Sequence, residues 1–139
     1  MNSNKSASRF VIVNAPKVEV AVQDYRLLDA AKFNRLTGGS DHIKAELLKA
    51  FVEFTPPLLG ELQNVVAIHD AFRTERLLHK LKSSTSLLCV DSLYAEIVSL
   101  EDASATQINT TEFMDRIGML IVSHETLMEE ARAMLHVIP

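Results

Sequence analysis

The sequence predicts an all-α protein: an up-and-down four-helix bundle with a short additional N-terminal helix and an extended N-terminal arm. Three observations carry that expectation. The 139 residues include six Phe, two Tyr, no Trp, four Gly and four Pro against abundant Leu and Ala, which favours helices packed on helices over a sheet. Apolar residues recur every three to four positions through most of the chain, the spacing of one buried helical face. The joints between these periodic segments are short, so successive helices must run nearly antiparallel. With 47% hydrophobic residues the chain can build one proper core, and nothing in it calls for two. The division expected is a tail and arm over residues 1–24 and a helical bundle over residues 25–139.

Taken in order, Met1 to Ser8 is small and polar and reads as a tail. Phe10 to Val22 reads as extended structure or a small hairpin. It opens with the β-branched run Val11-Ile12-Val13, passes an Asn14-Ala15-Pro16-Lys17 turn signal, and alternates Val18, Val20 and Val22. Arg26 to Leu36 carries Leu27, Leu28, Ala31 and Phe33 and stops at Thr37-Gly38-Gly39, a glycine stop of the left-handed type; this is the short first helix. Ser40 or Asp41 can cap the next, in which Ile43, Leu47, Ala50, Phe51 and Phe54 recur. Thr55-Pro56-Pro57 should kink or restart it, because proline lacks an amide donor and crowds the preceding turn. Apolar spacing resumes at Leu58, Leu59, Leu62, Val65 and Val66, so Asp41 to Ala67 reads as one long, bent element.

Asp70 is the expected N-cap of the helix that follows and runs to about Leu88. Cys89-Val90 makes a tight joint and Asp91 is expected to cap the next helix, with Leu93, Ile97 and Leu100 inward. After a polar break from Asp102 to Ile108, Asn109 with Glu112 forms a capping-box-like start. The last helix shows the longest stripe: Phe113, Ile117, Leu120, His124, Leu127, Ala131 and Met134.

Composition also narrows the function classes. A net charge of −4 and a pI near 5.7 argue against nucleic acid as a partner, which would call for a basic face. Lone Cys89 cannot form an internal disulfide, which suits a reducing compartment. No apolar run approaches the ~20 residues needed to span a bilayer, and Phe10 to Val13 is too short for a signal sequence. A soluble, cytoplasmic protein with no membrane partner is expected.

The stretch Leu77 to Leu88 carries the chemistry. Leu78, Leu81, Thr85 and Leu88, with Leu77 beside them, define the buried stripe, and His79 points well away from it. On the side of His79 lie Lys82, Ser83 and Ser86 toward the C-terminus, and Glu75 and Phe72 toward the N-terminus. That places an accessible imidazole beside a cation and small polar side chains. The blander account is an ordinary exposed histidine on a solvated face.

Leu78-His79-Lys80-Leu81-Lys82-Ser83-Ser84 resembles the signature of histidine-containing phosphotransfer (HPt) domains, with His79, Leu81, Lys82 and Ser84 matching it. Ser83 stands where that family usually has Gly, and Cys89-Val90 where a Gly-Ala pair is common. The likeness extends over roughly Tyr25 to Leu135 as an ordered set of helices. Phe51 to Leu59 also resembles the family's second helix. The resemblance implies a helical bundle whose histidine accepts a phosphoryl group from a receiver-domain aspartate and passes it to another receiver. His79 would be the phosphoacceptor and Lys82 would offset the phosphoryl charge; Ser83 and Ser86 would supply space or hydrogen bonds. Ordinary imidazoles titrate near ~6.5, which leaves a ring nitrogen free to attack phosphorus at neutral pH. The implied partners are receiver domains of response regulators and hybrid sensor kinases, docking around helices two and three with Phe72 and Phe51 as contributors.

No cofactor or metal of its own is expected, since the divalent ion that such transfers need belongs to the receiver. A phosphate-cradling loop and a kinase lysine are both missing from the sequence, so a phosphocarrier without ATP-dependent kinase activity is expected. A non-catalytic adaptor or inhibitor that binds receivers is the competing reading. A monomer is expected, with Phe10 to Val22 as the candidate contact should the chain dimerise. Ser123-His124-Glu125 faintly resembles the phosphoacceptor box of sensor kinases, but His124 belongs to the apolar stripe and reads as structural. His42, His69 and His136 lie near expected helix ends, and no two histidines pair at the spacing of a metal site.

Overall fold

A computed structural model describes residues 25–139, so the expected tail and extended arm over residues 1–24 lie outside the described residues. Five helices follow: α1 (Ala30–Leu36), α2 (Asp41–Ala67), α3 (Ala71–Ser86), α4 (Asp91–Gln107) and α5 (Thr111–Val137). There is no strand among the described residues. α2 packs on α3, α3 on α4, α4 on α5, and α5 back on α2, which closes a four-helix bundle with α3 and α5 diagonal to each other. The expected all-α bundle with a short additional N-terminal helix is therefore observed.

Sequence sets most of the helix ends. Asp29, Ser40, Asp70 and Thr110 each accept a hydrogen bond from the amide three residues on, satisfying a donor that the first turn leaves free. α1 is shorter than the expected Arg26 to Leu36 for a tertiary reason. The amides of Arg26, Leu27 and Leu28 donate to the Glu130 carboxylate of α5, at 2.6, 3.0 and 2.9 Å, so they serve as a clamp instead of a helical turn. The ends of α1 and α2 are alike. Gly39 N–H reaches Asn34 O and Gly38 N–H reaches Arg35 O; Asp70 N–H reaches Val65 O and His69 N–H reaches Val66 O. Each is a paired C-terminal cap whose turning residue has positive φ: 64° at Gly38 and 58° at His69.

Two expected caps move by one residue. Val90, with no side-chain bond, stands at the N-cap of α4, and Asp91 is its first helical residue, paired instead with Lys32 of α1. Thr110, not Asn109, caps α5. Pro56 and Pro57 lie within the continuous α2, both exposed, so their crowding and missing donors fall on the outer side of the helix.

The core is the inner stripe of each helix. Leu48, Phe51 and Leu62 of α2, Leu78 and Leu81 of α3, Ile97 and Leu100 of α4, and Phe113, Leu120 and Leu127 of α5 are all at most 2% exposed. The α5 stripe read from the sequence is buried at every position, His124 included. Phe51 corrects the expectation of a docking residue: it is fully buried and stacks on the His124 ring, with centroids 6.4 Å apart. Its spacing with Leu48 and Leu62 puts it on the inner face of α2, where exposure would cost an aromatic side chain its burial.

Candidate functional site

α3 turns His79 outward because its leucines turn inward. Leu77, Leu78, Leu81 and Thr85 are buried, and the opposite face of the 16-residue helix carries His79, with 68% of its side chain exposed. Lys82 sits one turn on, with 21% of its side chain exposed. The Leu87 to Val90 joint then sends α4 back alongside α3. The left-handed backbone of Cys89, φ 62°, makes that reversal tight.

The return of α4 brings in a residue that the sequence reading did not include. Glu101, beside the buried Leu100 and with only 12% of its side chain exposed, reaches both members of the motif. One carboxylate oxygen lies 3.3 Å from His79 Nδ1, and the other lies 2.7 Å from Lys82 Nζ. A carboxylate accepts, so Nδ1 carries the proton in this arrangement, and in a neutral ring Nε2 is the nitrogen that keeps a lone pair. The Lys82 ammonium is held charged, its pKa raised chiefly by the hydrogen bond to Glu101. The signal for Glu101 was weak but present: in an antiparallel pair, residues at comparable distances from the joint lie side by side. His79 and Glu101 meet that condition to within about a turn.

Beside His79 an open groove of about 490 Å³ is lined by Phe72, Glu75, Arg76, Lys80 and Glu101. Phe72 is 68% exposed, and the Arg76 guanidinium lies over its ring at 5.6 Å from the centroid. The groove thus sets an apolar platform, two cations and two carboxylates around the imidazole.

The serines diverge. Ser83 is exposed one turn beyond His79. Ser86 is also exposed, but its hydroxyl donates to Ser83 O at 2.7 Å, and it lines a separate groove with Lys32, Leu36, Cys89 and Tyr94. The structure therefore brings His79, Lys82 and Glu101 together, with Ser83 nearby and Ser86 turned elsewhere. Ser84, the last matched position of the motif, is buried and bonds to Thr55 of α2 at 2.7 Å, tying α3 to α2 under the site.

His124 is the other histidine with defined partners. Its Nε2 lies 2.7 Å from Thr85 Oγ1 and its Nδ1 lies 2.9 Å from Leu120 O, in the core between α3 and α5. Burial lowers its pKa, with the Leu120 carbonyl opposing, so the neutral ring is favoured. Nδ1–H then donates to Leu120 O, and the single Thr85 hydroxyl proton lies within reach of both Nε2 and Leu81 O, the latter at 2.8 Å. No group of three or more His, Cys, Asp or Glu side chains among the described residues could hold a metal ion. No helix among them is long and apolar enough to cross a membrane.

Comparison of the chain with protein-family models, with curated proteins and with solved structures finds no match.

Proposed function

We propose that the protein is a phosphorelay intermediate that accepts a phosphoryl group on His79 from a receiver-domain aspartate and passes it to another receiver domain. The observation that carries this reading is the His79–Glu101–Lys82 cluster on an exposed helix face. In it one imidazole nitrogen is engaged by a carboxylate that also holds a lysine, and the imidazole side chain is largely exposed.

The chemistry follows from the protonation pattern. His79 Nε2 attacks phosphorus through its lone pair. An N–P bond forms as the bond from phosphorus to the aspartyl oxygen breaks, and the aspartate leaves as a carboxylate. Nδ1 keeps its proton, and Glu101 offsets the positive charge that develops on the ring, as a carboxylate does for the imidazolium formed when a histidine acts as a general base. Lys82 stands one turn away to offset the phosphoryl charge. Reversal, with the phosphohistidine facing a second aspartate, passes the group on. The protein is then a phosphocarrier acting in the cytoplasm on receivers of response regulators and hybrid sensor kinases, with the metal ion supplied by the receiver. The exposed Phe72 platform, with the Arg76 guanidinium over it, supports docking of a partner surface in the groove beside His79.

The test is incubation with a phosphorylated receiver. An acid-labile, base-stable phosphate on the wild-type chain and none on His79→Gln is the expected outcome. Glu101→Gln should slow transfer while leaving receiver binding in place, because it removes a charge from the ring and none from the groove's apolar platform. Labelling of His79→Gln equal to wild type would overturn the assignment. The competing reading, a non-catalytic adaptor or inhibitor that binds receivers, predicts binding that His79→Ala leaves unchanged and no transfer by the wild-type chain.

A further inference from the structure

His79 stands midway along one face of α3. Phe72 lies seven residues before it and Ser86 seven after, a spacing that returns each to nearly the same side of a 3.6-residue helix, ~10 Å away in either direction. α4 repeats the pattern in reverse. Glu101 and Tyr94 are also seven apart, and the antiparallel run that sets Glu101 beside His79 sets Tyr94 beside Ser86. The groove lined by Ser86 and Tyr94 therefore belongs to the same face as the imidazole, about two turns farther along α3.

This second groove has about 260 Å³ and apolar walls. Its charged residues, Lys32 and Asp91, pair with each other, so they add no net charge. Leu36 at the end of α1 is 62% exposed and Tyr94 is 41% exposed, over a floor that includes Val90, 6% exposed. The bundle has no place for Leu36. Phe33, one turn earlier, takes the core position of α1, and the helix stops at Thr37. A leucine and a tyrosine ring left open around one concave space match the pockets that receive an anchoring side chain of a partner.

We infer that Leu36 and Tyr94 form a second docking pocket for the receiver that docks at His79, one that takes an apolar side chain of that partner and selects among receivers. The identity of the partner rests on the phosphorelay reading. Interface size points to a single partner. A standard interface buries ~800 Å² of each protein, a patch of roughly 16 Å radius; centred on His79, it reaches past Phe72 in one direction and past Ser86 in the other. A receiver that brings its aspartyl phosphate to the imidazole thus covers both grooves. The pocket extends the docking surface expected around helices two and three onto α1 and α4. Standing two turns from the reacting ring, it contributes equally to the bound and the transition state, which sets affinity and leaves the rate of transfer alone.

The experiment measures binding and transfer separately, with purified receiver domains from the same organism as probes of the full chain. Leu36→Ala and Tyr94→Ala each weaken binding of the unphosphorylated receiver about tenfold and raise KM for the phosphorylated one by a like factor, with kcat within about twofold of wild type. Tyr94→Phe keeps both values, because the ring and not the hydroxyl makes the contact. Met119→Ala, exposed on α5 diagonal to α3, changes neither. Affinity and KM that ignore both alanine variants overturn the pocket and leave the phosphorelay reading standing, as does a fall in kcat alone. Binding that depends on Leu36 and Tyr94 with no phosphate reaching His79 sinks that reading and upholds the pocket. A chain that binds no receiver overturns both.

Discussion

His124 is a histidine whose charged form the core resists, and its consequence is a pH dependence of folding. Burial lowers its pKa in the folded chain, so below the ordinary histidine value of ~6.5 the unfolded chain binds a proton that the folded one does not. Its contribution to stability is fully present above ~6.5 and is lost as pH falls toward the depressed folded value. Thermal melts between pH 7.5 and 5.5 should show the wild type losing stability by up to about 1.4 kcal/mol per pH unit more than His124→Gln. Identical slopes would mean that the ring is charged in the fold. Glu101 and Thr74 show two other outcomes for polar side chains. Glu101 is nearly buried yet has two partners, whereas the fully buried Thr74 Oγ1 has no hydrogen-bond partner. The adjoining Leu77 and Leu78 place Thr74 on the inner face of α3, which accounts for its burial; its unmet hydrogen bond has no structural explanation.

Helix joints decide how closely neighbouring elements meet. The α3–α4 joint turns on Cys89, a left-handed residue with a side chain, in a conformation that crowds Cβ by ~1–2 kcal/mol for ordinary residues. Cys89→Gly should raise the unfolding free energy, by about 0.5–1 kcal/mol once the greater freedom of glycine in the unfolded chain is set against the relief. Denaturant melts with an unchanged m-value check this, and a loss of stability would mean that the Cys89 side chain contributes more by packing than the turn loses by strain. The same joint sets the register of α4 on α3, and so the distance from Glu101 to His79. At the other joints the caps were legible from Ser40, Asp70 and Gly38, because each acts through its own neighbours. Val90 was not, since Asp91 is drawn to Lys32 of another helix.

At the scale of the molecule, the ring of α2 to α5 is closed from outside by the clamp of Glu130 on the backbone of Arg26 to Leu28. Removing that acceptor with Glu130→Ala strands three amides and should cost about 2–3 kcal/mol of stability, as charged hydrogen bonds do when broken. Hydrogen exchange at these amides should accelerate well beyond that of the α2–α5 core. Unchanged exchange would show that the segment is held by its side chains, Leu28 above all, which is 3% exposed. The clamp also shortened α1 relative to its apolar pattern, a long-range effect that local periodicity does not contain.

The chain by itself determined the four inward stripes, the outward placement of His79 and Lys82, the burial of His124 and the full extent of α2. All of these follow from residues within a few positions of each other, and helical periodicity and capping act at that range. Only the tertiary structure decided that Glu101 joins His79, that Phe51 lies against His124, that Ser86 faces a different groove, and that Arg26 to Leu28 donate to Glu130. Each of these depends on the register of one helix against another. That register is set by how whole faces interlock and how joints turn, and the spacing of residues along a single helix does not encode it.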